Sequence, residues 1–385
     1  MTTATTTTLG AASDARVLTP RDAADVAEIV TSHTRALEPR GGGSLREVGH
    51  PADADLLALD SLAGIVSYEP EELVLTALAG TPLAGIEREL AARSQRLAFE
   101  PPDFGALLGS ASARTIGGVV AANVAGSRRV SAGAARDHFL GCEAVSGRGE
   151  RFKAGGRVVK NVTGYDVPKL LAGSWGTLAV LTTVTLRVVP MPETERTLVV
   201  SCATPDDAVP ILSAALGSPH DVAAAAFAPE RGCLLRLEGF ATSVDARAAA
   251  IARSLRRADV AAVDGTASRA LWAEVGGAAA LAPWPVVWKI SVPPTDAPRV
   301  LEALAPQRYL LDWGGGLIWA AFAAADASRV RGALREGHAT LFKAPRAART
   351  SQPVFQPQPP ALAAATRRVK HAFDPDGRLN PARLG

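Results

Sequence analysis

The stretch EPRGGGS (residues 38–44) places three consecutive glycines between Arg40 and Ser44. Glycine lets the backbone adopt positive φ and lets a ligand touch the main chain. Successive amide N–H groups can then form a nest for an anion. The same run also reads as a flexible turn, and taken alone it does not decide between the two. Its surroundings exclude two nucleotide-binding motifs. A P-loop needs Gly-Lys-Ser/Thr feeding a helix, and there is no Lys here. A Rossmann fingerprint needs strand, G-x-G-x-x-G, then helix. Here the order is helix, a short extended piece ending at Pro39, the glycines, and then LREVGHPADADLLAL (45–59), which is not a helix start.

Two more glycine-rich segments follow before residue 182: ARTIGGVVAANVAG (113–126) and AGSWGTLAVL (172–181). In the first, Thr115 can cap a helix whose opening turn holds Gly117 and Gly118. Free amides at a helix N-terminus bind anions. Tight helix–sheet packing explains the same residues equally well. The second reads as a turn into a strand, or as an ordinary hairpin. The order and spacing of the three segments are more specific than any one of them.

Working outward, Thr19-Pro20-Arg21-Asp22 reads as a helix start with Thr19 as N-cap, followed by Ala23, Val26, Ala27 and Val30 on one face. GIVSY (64–68) and LVLTAL (73–78) read as strands, and Thr81-Pro82 opens a helix with Leu83, Ile86 and Leu90 inward. Residues 142–145 and 180–189 read as strands, the latter closed by Pro190. Beyond about residue 195, RTLVVSC, DVAAAAF, CLLRLEGF, VVWKISV, RYLLDW and LIWAAF read as strands. Helices at 206–216, 244–258, 296–304 and 328–336 interleave them. The pattern predicts an α+β chain whose second part is an antiparallel sheet covered on one face. A Pro-rich linker (344–360), a basic helix (361–373) and a turn, DPDGRLNP, complete it. The expected organisation is a disordered tail at 1–14, one domain at 15–192, a smaller α+β domain at 193–345, and a linker with a closing segment at 346–385.

The formal net charge of +3 and the scattered arginines offer no basic stripe, so no nucleic-acid partner is expected. Cys142, Cys202 and Cys233 are far apart and no C-x-x-C occurs, which argues against an iron–sulfur cluster or structural zinc held by this chain alone. The six histidines form no H-x-H or H-E-x-x-H group, so no metal site is expected. The opening residues lack the basic and apolar regions of a signal peptide. The uncharged run 170–186 is short for a membrane span and contains Gly173, Ser174 and Gly176. These features point to a cytoplasmic protein.

PRGGGS, TIGGVVAANVAG, GAARDHFLGCEAV and KNVTGYDVPKLLAGSWGTLAVLTTVTLRVVP together resemble the FAD-binding domain of the vanillyl-alcohol oxidase/p-cresol methylhydroxylase (PCMH) superfamily. FDPDGRLNP is similar to the closing segment of its 2-hydroxy-acid dehydrogenase branch. With EPPDFG, GGRVVKNVTGYD, WKISVP, LDWGGG and GHATLF, the chain from about residue 15 to residue 384 resembles the FAD-binding subunits of bacterial glycolate oxidases.

The resemblance implies FAD between two α+β subdomains. Arg40, Gly41, Gly42, Gly43 and Ser44 would wrap the diphosphate. Pro102, Thr115, Ile116, Gly117, Gly118 and Ala121 would meet its other side, and Asn123 and Gly126 would lie toward the flavin. Gly133, Arg136 and Asp137 would shape the next loop. Gly176 and Val180 would present main-chain groups to the adenine, and Asn380 would return from the C-terminal segment. Some superfamily members attach FAD through a His in the first glycine loop. That loop has none here, and His50 stands six residues beyond Ser44, so non-covalent FAD is expected. Cys142 and His138 are read as structural.

The resemblance further implies a complex with a larger paralogous flavin subunit and an iron–sulfur subunit. It would oxidise a small 2-hydroxy acid, glycolate to glyoxylate, and pass electrons to a quinone, with membrane contact only through the complex at the inner membrane. Related catalytic subunits carry a His-rich metal-binding segment that this chain lacks. His338 is the candidate base or substrate contact, Lys160 is a weaker one, and Arg346 and Arg349 are candidate partners for an acid. A self-sufficient FAD-dependent 2-hydroxy-acid oxidoreductase and a non-catalytic assembly subunit with structural FAD are the alternatives.

Overall fold

The computed structural model describes residues 15–157, 164–255 and 260–384. The first helix, Ala23–Ser32, is capped by Asp22, whose side chain accepts from the amides of Ala24 and Asp25. Thr19, the expected cap, stands three residues too early, because a carboxylate immediately before the first turn reaches two free donors at once. Val26 and Val30 point inward, as the spacing requires. This helix leads into a small parallel sheet in which Asp55–Ala58 lies between Val17–Leu18 and Leu37–Arg40. The EPRGGGS glycines leave the end of Leu37–Arg40 directly.

A second, antiparallel sheet runs in the order Ile65–Glu69, Val74–Leu78, Ala179–Arg187, Phe139–Ser146, Arg151–Gly155. The short helix Ile116–Ala121 lies against its central strand, with Ile116, Val119 and Val120 in the core. Leu37, Leu57, Val145, Val180 and Leu379 form a separate apolar cluster joining the two sheets.

The third sheet is antiparallel throughout and holds, in order, Val260–Asp264, Thr194–Val200, Gly232–Gly239, Ala224–Ala228, Arg308–Asp312, Leu317–Phe322, Val286–Ser291 and His338–Lys343. Its side chains alternate as strand geometry demands. Ala225, Phe227, Leu235, Ile290 and Ile318 face one cluster together with the helices Pro205–Leu216, Ala241–Ser254 and Ala297–Leu304. Ala224, Ala226, Leu234, Trp319 and Phe342 face the other way, into the core that also contains Val119, Leu171 and Leu186. The sheet is therefore covered on both faces, where one covered face was expected. The second cover comes from the N-terminal part of the chain and from the helix Gly265–Gly276, a contact between residues too distant in sequence for periodicity to register.

The Pro-rich stretch does more than link. It contains the helix Arg346–Ser351, and the Val354 carbonyl accepts from the Leu341 amide beside the sheet's last strand. The basic helix Pro360–Phe373 ends at Asp374, whose carboxylate accepts from the amides of Arg378 and Leu379 and turns the chain back. Leu379 then bridges Leu37 in parallel, and the Asn380 amide donates to the Leu37 carbonyl. This return places the C-terminal segment beside the first glycine loop.

Candidate cofactor site

The three glycine segments, far apart in sequence, wall a single cavity that opens to solvent. Arg40, Gly41, Gly42, Gly43 and Ser44 form one wall, and Thr115, Gly117, Gly118 and Ala121 the next. Gly176 and Val180 supply a third, Pro102 lies at the rim, and Asn380 contributes from the C-terminal segment.

The glycines are required by close approach. A Cβ on Gly42 would lie 1.8 Å from the Ala113 carbonyl oxygen, and one on Gly41 would lie 2.0 Å from Thr115 Oγ1. The first loop is thus pressed against the second. Thr115 occupies the N-cap position of Ile116–Ala121 without making a side-chain cap bond. Among the described residues, the amides of Gly41, Gly42, Gly43, Ser44 and Gly118 donate to no protein acceptor. Asn380 is buried in the left-handed region at φ 45°, and its Nδ2 donates to the Trp175 carbonyl at 2.7 Å. Its Oδ1 is buried without a partner.

Six expected residues stand outside the cavity wall. Ile116 is fully buried in the core. Asn123 Oδ1 accepts from the Arg136 amide at 3.0 Å. The Gly126 carbonyl accepts from Trp313 Nε1 at 3.1 Å. Gly133, at φ 78°, lets Asp137 Oδ2 accept from the Ala134 amide. These residues shape the connection from the second glycine segment to the strand Phe139–Ser146.

Sequence reasoning passed over Phe104, Arg114, Trp175 and Arg383, which also line the cavity. Trp175 sits between Gly173 and Gly176, which marks it in hindsight. Arg383 carries no local signal. Its guanidinium donates to Glu38 Oε1 at 3.0 Å and to the Val48 carbonyl at 2.9 Å, and so ties the C-terminal segment to the first loop.

The remaining candidates are dispersed. His50 Nε2 accepts from the Val354 amide, and burial lowers its pKa. His138 Nε2 lies 2.7 Å from the Ala132 carbonyl oxygen, and burial pushes the Cys142 thiol up to about 12, so neither is poised as a nucleophile. Arg349 is buried and donates to Glu47 and to the Gly49 carbonyl, while Arg346 is exposed. His338 begins the last strand of the large sheet and does not line the cavity. Lys160 and Asn161 lie outside the described residues. Among the described residues no cluster of three or more His, Cys, Asp or Glu is gathered that could hold a metal, and no helix is long and apolar enough to cross a membrane.

The FAD binding domain family matches residues 15–155. The chain is 34% identical over 346 residues to glycolate oxidase subunit GlcE of Escherichia coli (strain K12), covering 90% of this chain and 91% of that one. It is 34% identical over 187 residues to glycolate oxidase subunit GlcD of Bacillus subtilis (strain 168), covering 47% of this chain and 38% of that one. Among solved structures, an alkyldihydroxyacetonephosphate synthase superposes with a TM-score of 0.65 at 14% identity, over 96% of this chain and 77% of that one. That likeness is one of fold.

The cavity fits an FAD. A dinucleotide's diphosphate needs several converging N–H donors and a main chain it can approach closely. The unpaired amides of the first loop and of Gly118 supply the donors, and the glycines leave the approach open. The orphaned Asn380 Oδ1 offers an acceptor in the same space.

Proposed function

Because this chain belongs to the family of the glycolate oxidase subunit GlcE, we propose that it is the FAD-binding subunit of a multi-subunit glycolate oxidase. The reading rests most heavily on one observation: three separate glycine segments and the C-terminal Asn380 converge on one cavity, in a chain whose similarity to GlcE runs nearly its full length. When bound, FAD supplies the two-electron acceptor for oxidation of a 2-hydroxy acid.

The residues of this chain hold and shield that cofactor. Residues 41–44 and Gly118 offer their amides to the diphosphate, and Arg40 and Arg114 balance its charge from the same cavity wall. Gly176 and Val180 bound the adenine end, and Pro102, Phe104 and Val124 form an apolar boundary at the other. The first loop contains no His, and the nearby His50 accepts from the Val354 amide, so the FAD is held without a covalent bond.

The partners in this reading are a larger paralogous flavin subunit and an iron–sulfur subunit that passes electrons to a quinone; the likeness to a second glycolate oxidase subunit, GlcD, supports the first of these. The protein works at the cytoplasmic side of the membrane and reaches it only through the complex. Affinity purification of the tagged chain from its own host, followed by mass spectrometry and a dye-reduction assay, tests this. The reading expects two co-purifying subunits, one with cysteine clusters, and dye reduction that depends on glycolate. A flavin-free chain that co-purifies with neither would overturn it.

A further inference from the structure

Trp313 has an unusual backbone conformation. It follows the strand Arg308–Asp312 and sits in the left-handed region at φ 53°, followed by Gly314 at 68° and Gly315 at 100°. A bulky residue there is a genuine outlier, of the kind that surrounding structure must hold in place. Two contacts across the seam between the large sheet and the N-terminal part hold it. Trp313 Nε1 donates to the Gly126 carbonyl at 3.1 Å. Beside it, buried Asp312 accepts from Ser127 Oγ at 2.7 Å and from the Trp313 amide at 2.7 Å.

The ring so fixed has two cations against it. Arg129 Cζ is 4.9 Å from its centroid and Lys289 Nζ is 5.2 Å. Lys289 Nζ also lies 5.7 Å from the centroid of Trp319, its cross-strand neighbour. Among the described residues, neither cation makes a hydrogen bond or an ion pair with a carboxylate. Two like charges gathered around one ring repel each other, and Asp312, the carboxylate that attracts Lys289 without pairing with it, already accepts from Ser127 and the Trp313 amide, so a further anion joining the two cations is favourable. His338 belongs to the same group. It pairs with Ser291 in register while Lys289 pairs with Thr340, so His338 and Lys289 are diagonal neighbours on one face of the sheet.

The cluster lies one aromatic ring from the cofactor cavity. Phe104 lines that cavity and packs on Trp319 at a centroid distance of 5.7 Å. The charges facing Lys289 are those of Arg129, Asp312 and His338. Burial and the Arg129 charge bring its pKa down to about 8, against the opposing pull of Asp312.

We infer that Arg129, Lys289 and the ring of Trp313 form a binding subsite for a small carboxylate anion, with His338 at its rim. The inference deepens the reading above and rests on it for the identity of the anion, a 2-hydroxy acid.

Calorimetric titration of the purified full chain with sodium glycolate, at pH 7, tests the subsite, with ethylene glycol as the analogue lacking the carboxylate. The expected result is binding of glycolate and none of ethylene glycol. Arg129→Gln and Lys289→Gln should each weaken it about tenfold, the equivalent of about 1.4 kcal/mol. Lys289→Arg should restore most of the loss. Arg129 is exposed, so its variant keeps the fold, and thermal melts check the Lys289 variants. Glycolate binding in the wild-type chain should weaken as pH rises through about 8, where Lys289 loses its charge. No glycolate binding, or binding that ethylene glycol matches or that both variants retain, overturns the subsite. Absorbance of the same samples reports flavin. A flavin-loaded chain indifferent to both substitutions overturns the subsite alone. A flavin-free chain whose glycolate binding depends on both cations supports the subsite and overturns the functional reading.

Discussion

Two groups of cations stand on the same face of the large sheet and are built in opposite ways. Around Arg236, which is 1% exposed, every cation meets carboxylates. Arg236 donates to Glu100 at 2.8 Å and to Glu195 at 2.7 Å, and lies 2.9 Å from Glu238, which Arg96 and Arg128 also approach. Burial works against these charges, and their mutual proximity restores them: the Glu238 carboxyl is held below its ordinary value despite its desolvation. Around Trp313, by contrast, Arg129 and Lys289 form no ion pair among the described residues, and Asp312, the carboxylate that attracts Lys289, is engaged by Ser127 and the Trp313 amide. The first group is complete and fastens the sheet to the segment around residues 96–100. The second, as the proposed subsite, is completed by the anion it binds. Pairing, more than the presence of charge, separates a structural cluster from a binding one.

Arg236→Met attacks the complete cluster and should have the largest effect. It leaves Glu195, 2% exposed at the side chain, without its cation, and takes from Glu238, 6% exposed, one of its three arginine partners. Removing one partner of a buried ion group costs about 3–5 kcal/mol, and urea denaturation should register a loss of that order. A loss below about 1 kcal/mol would mean that the cluster behaves as a surface pair and that the contrast drawn here fails.

Gly42→Ala attacks the cofactor cavity. Its methyl group would meet the Ala113 carbonyl oxygen at 1.8 Å, so the two glycine segments must separate. Overpacking of this kind costs about 1–3 kcal/mol. It should appear as at least a tenfold rise in the FAD dissociation constant in a fluorescence titration, with the far-UV circular dichroism unchanged.

Acidification provides a smaller probe. Burial lowers the pKa of His138 from its ordinary 6.5, so the folded state binds fewer protons than the unfolded one. Its contribution to stability is complete above about 6.5 and is lost as pH falls through the folded value. Melting temperatures should therefore drop between pH 7 and pH 5 by more in the wild type than in His138→Gln. Equal drops would remove His138 from the account.

Arg129→Gln should have the smallest effect on stability, within about 0.5 kcal/mol, because the side chain is exposed and has no ion-pair partner. A large loss would place Arg129 with Arg236 and erase the distinction between the two clusters.

Much of this was legible in the sequence, because local chemistry carried it. The glycines of residues 41–43, 117–118 and 173–176 announce close approach, and strand alternation in LVLTAL, LIWAAF and VVWKISV gives the sheets. The strands Val260–Asp264 and His338–Lys343 were missed, and so was the helix Gly265–Gly276. The helix had a usable signal: Leu271, Trp272 and Val275 repeat at helical spacing after Asp264, and all three are buried. The edge strands had less, since their pairing partners lie more than forty residues away in sequence. Lys289 was visible as a charge inside an apolar strand. Its lack of a partner was not visible, because that depends on which residues of the N-terminal part reach the sheet. The same holds for Asn380, whose place in the cavity depends on the Asp374 turn and the Leu37–Leu379 bridge.

The claim that this chain holds FAD in the cavity between its glycine segments is tested most directly by the visible absorbance spectrum of the purified full chain, recorded before and after acid precipitation. The account predicts a flavin spectrum in the native protein and its transfer to the supernatant on denaturation. A protein that stays colourless after incubation with FAD would contradict the site, and a flavin that precipitates with the protein would contradict the non-covalent attachment.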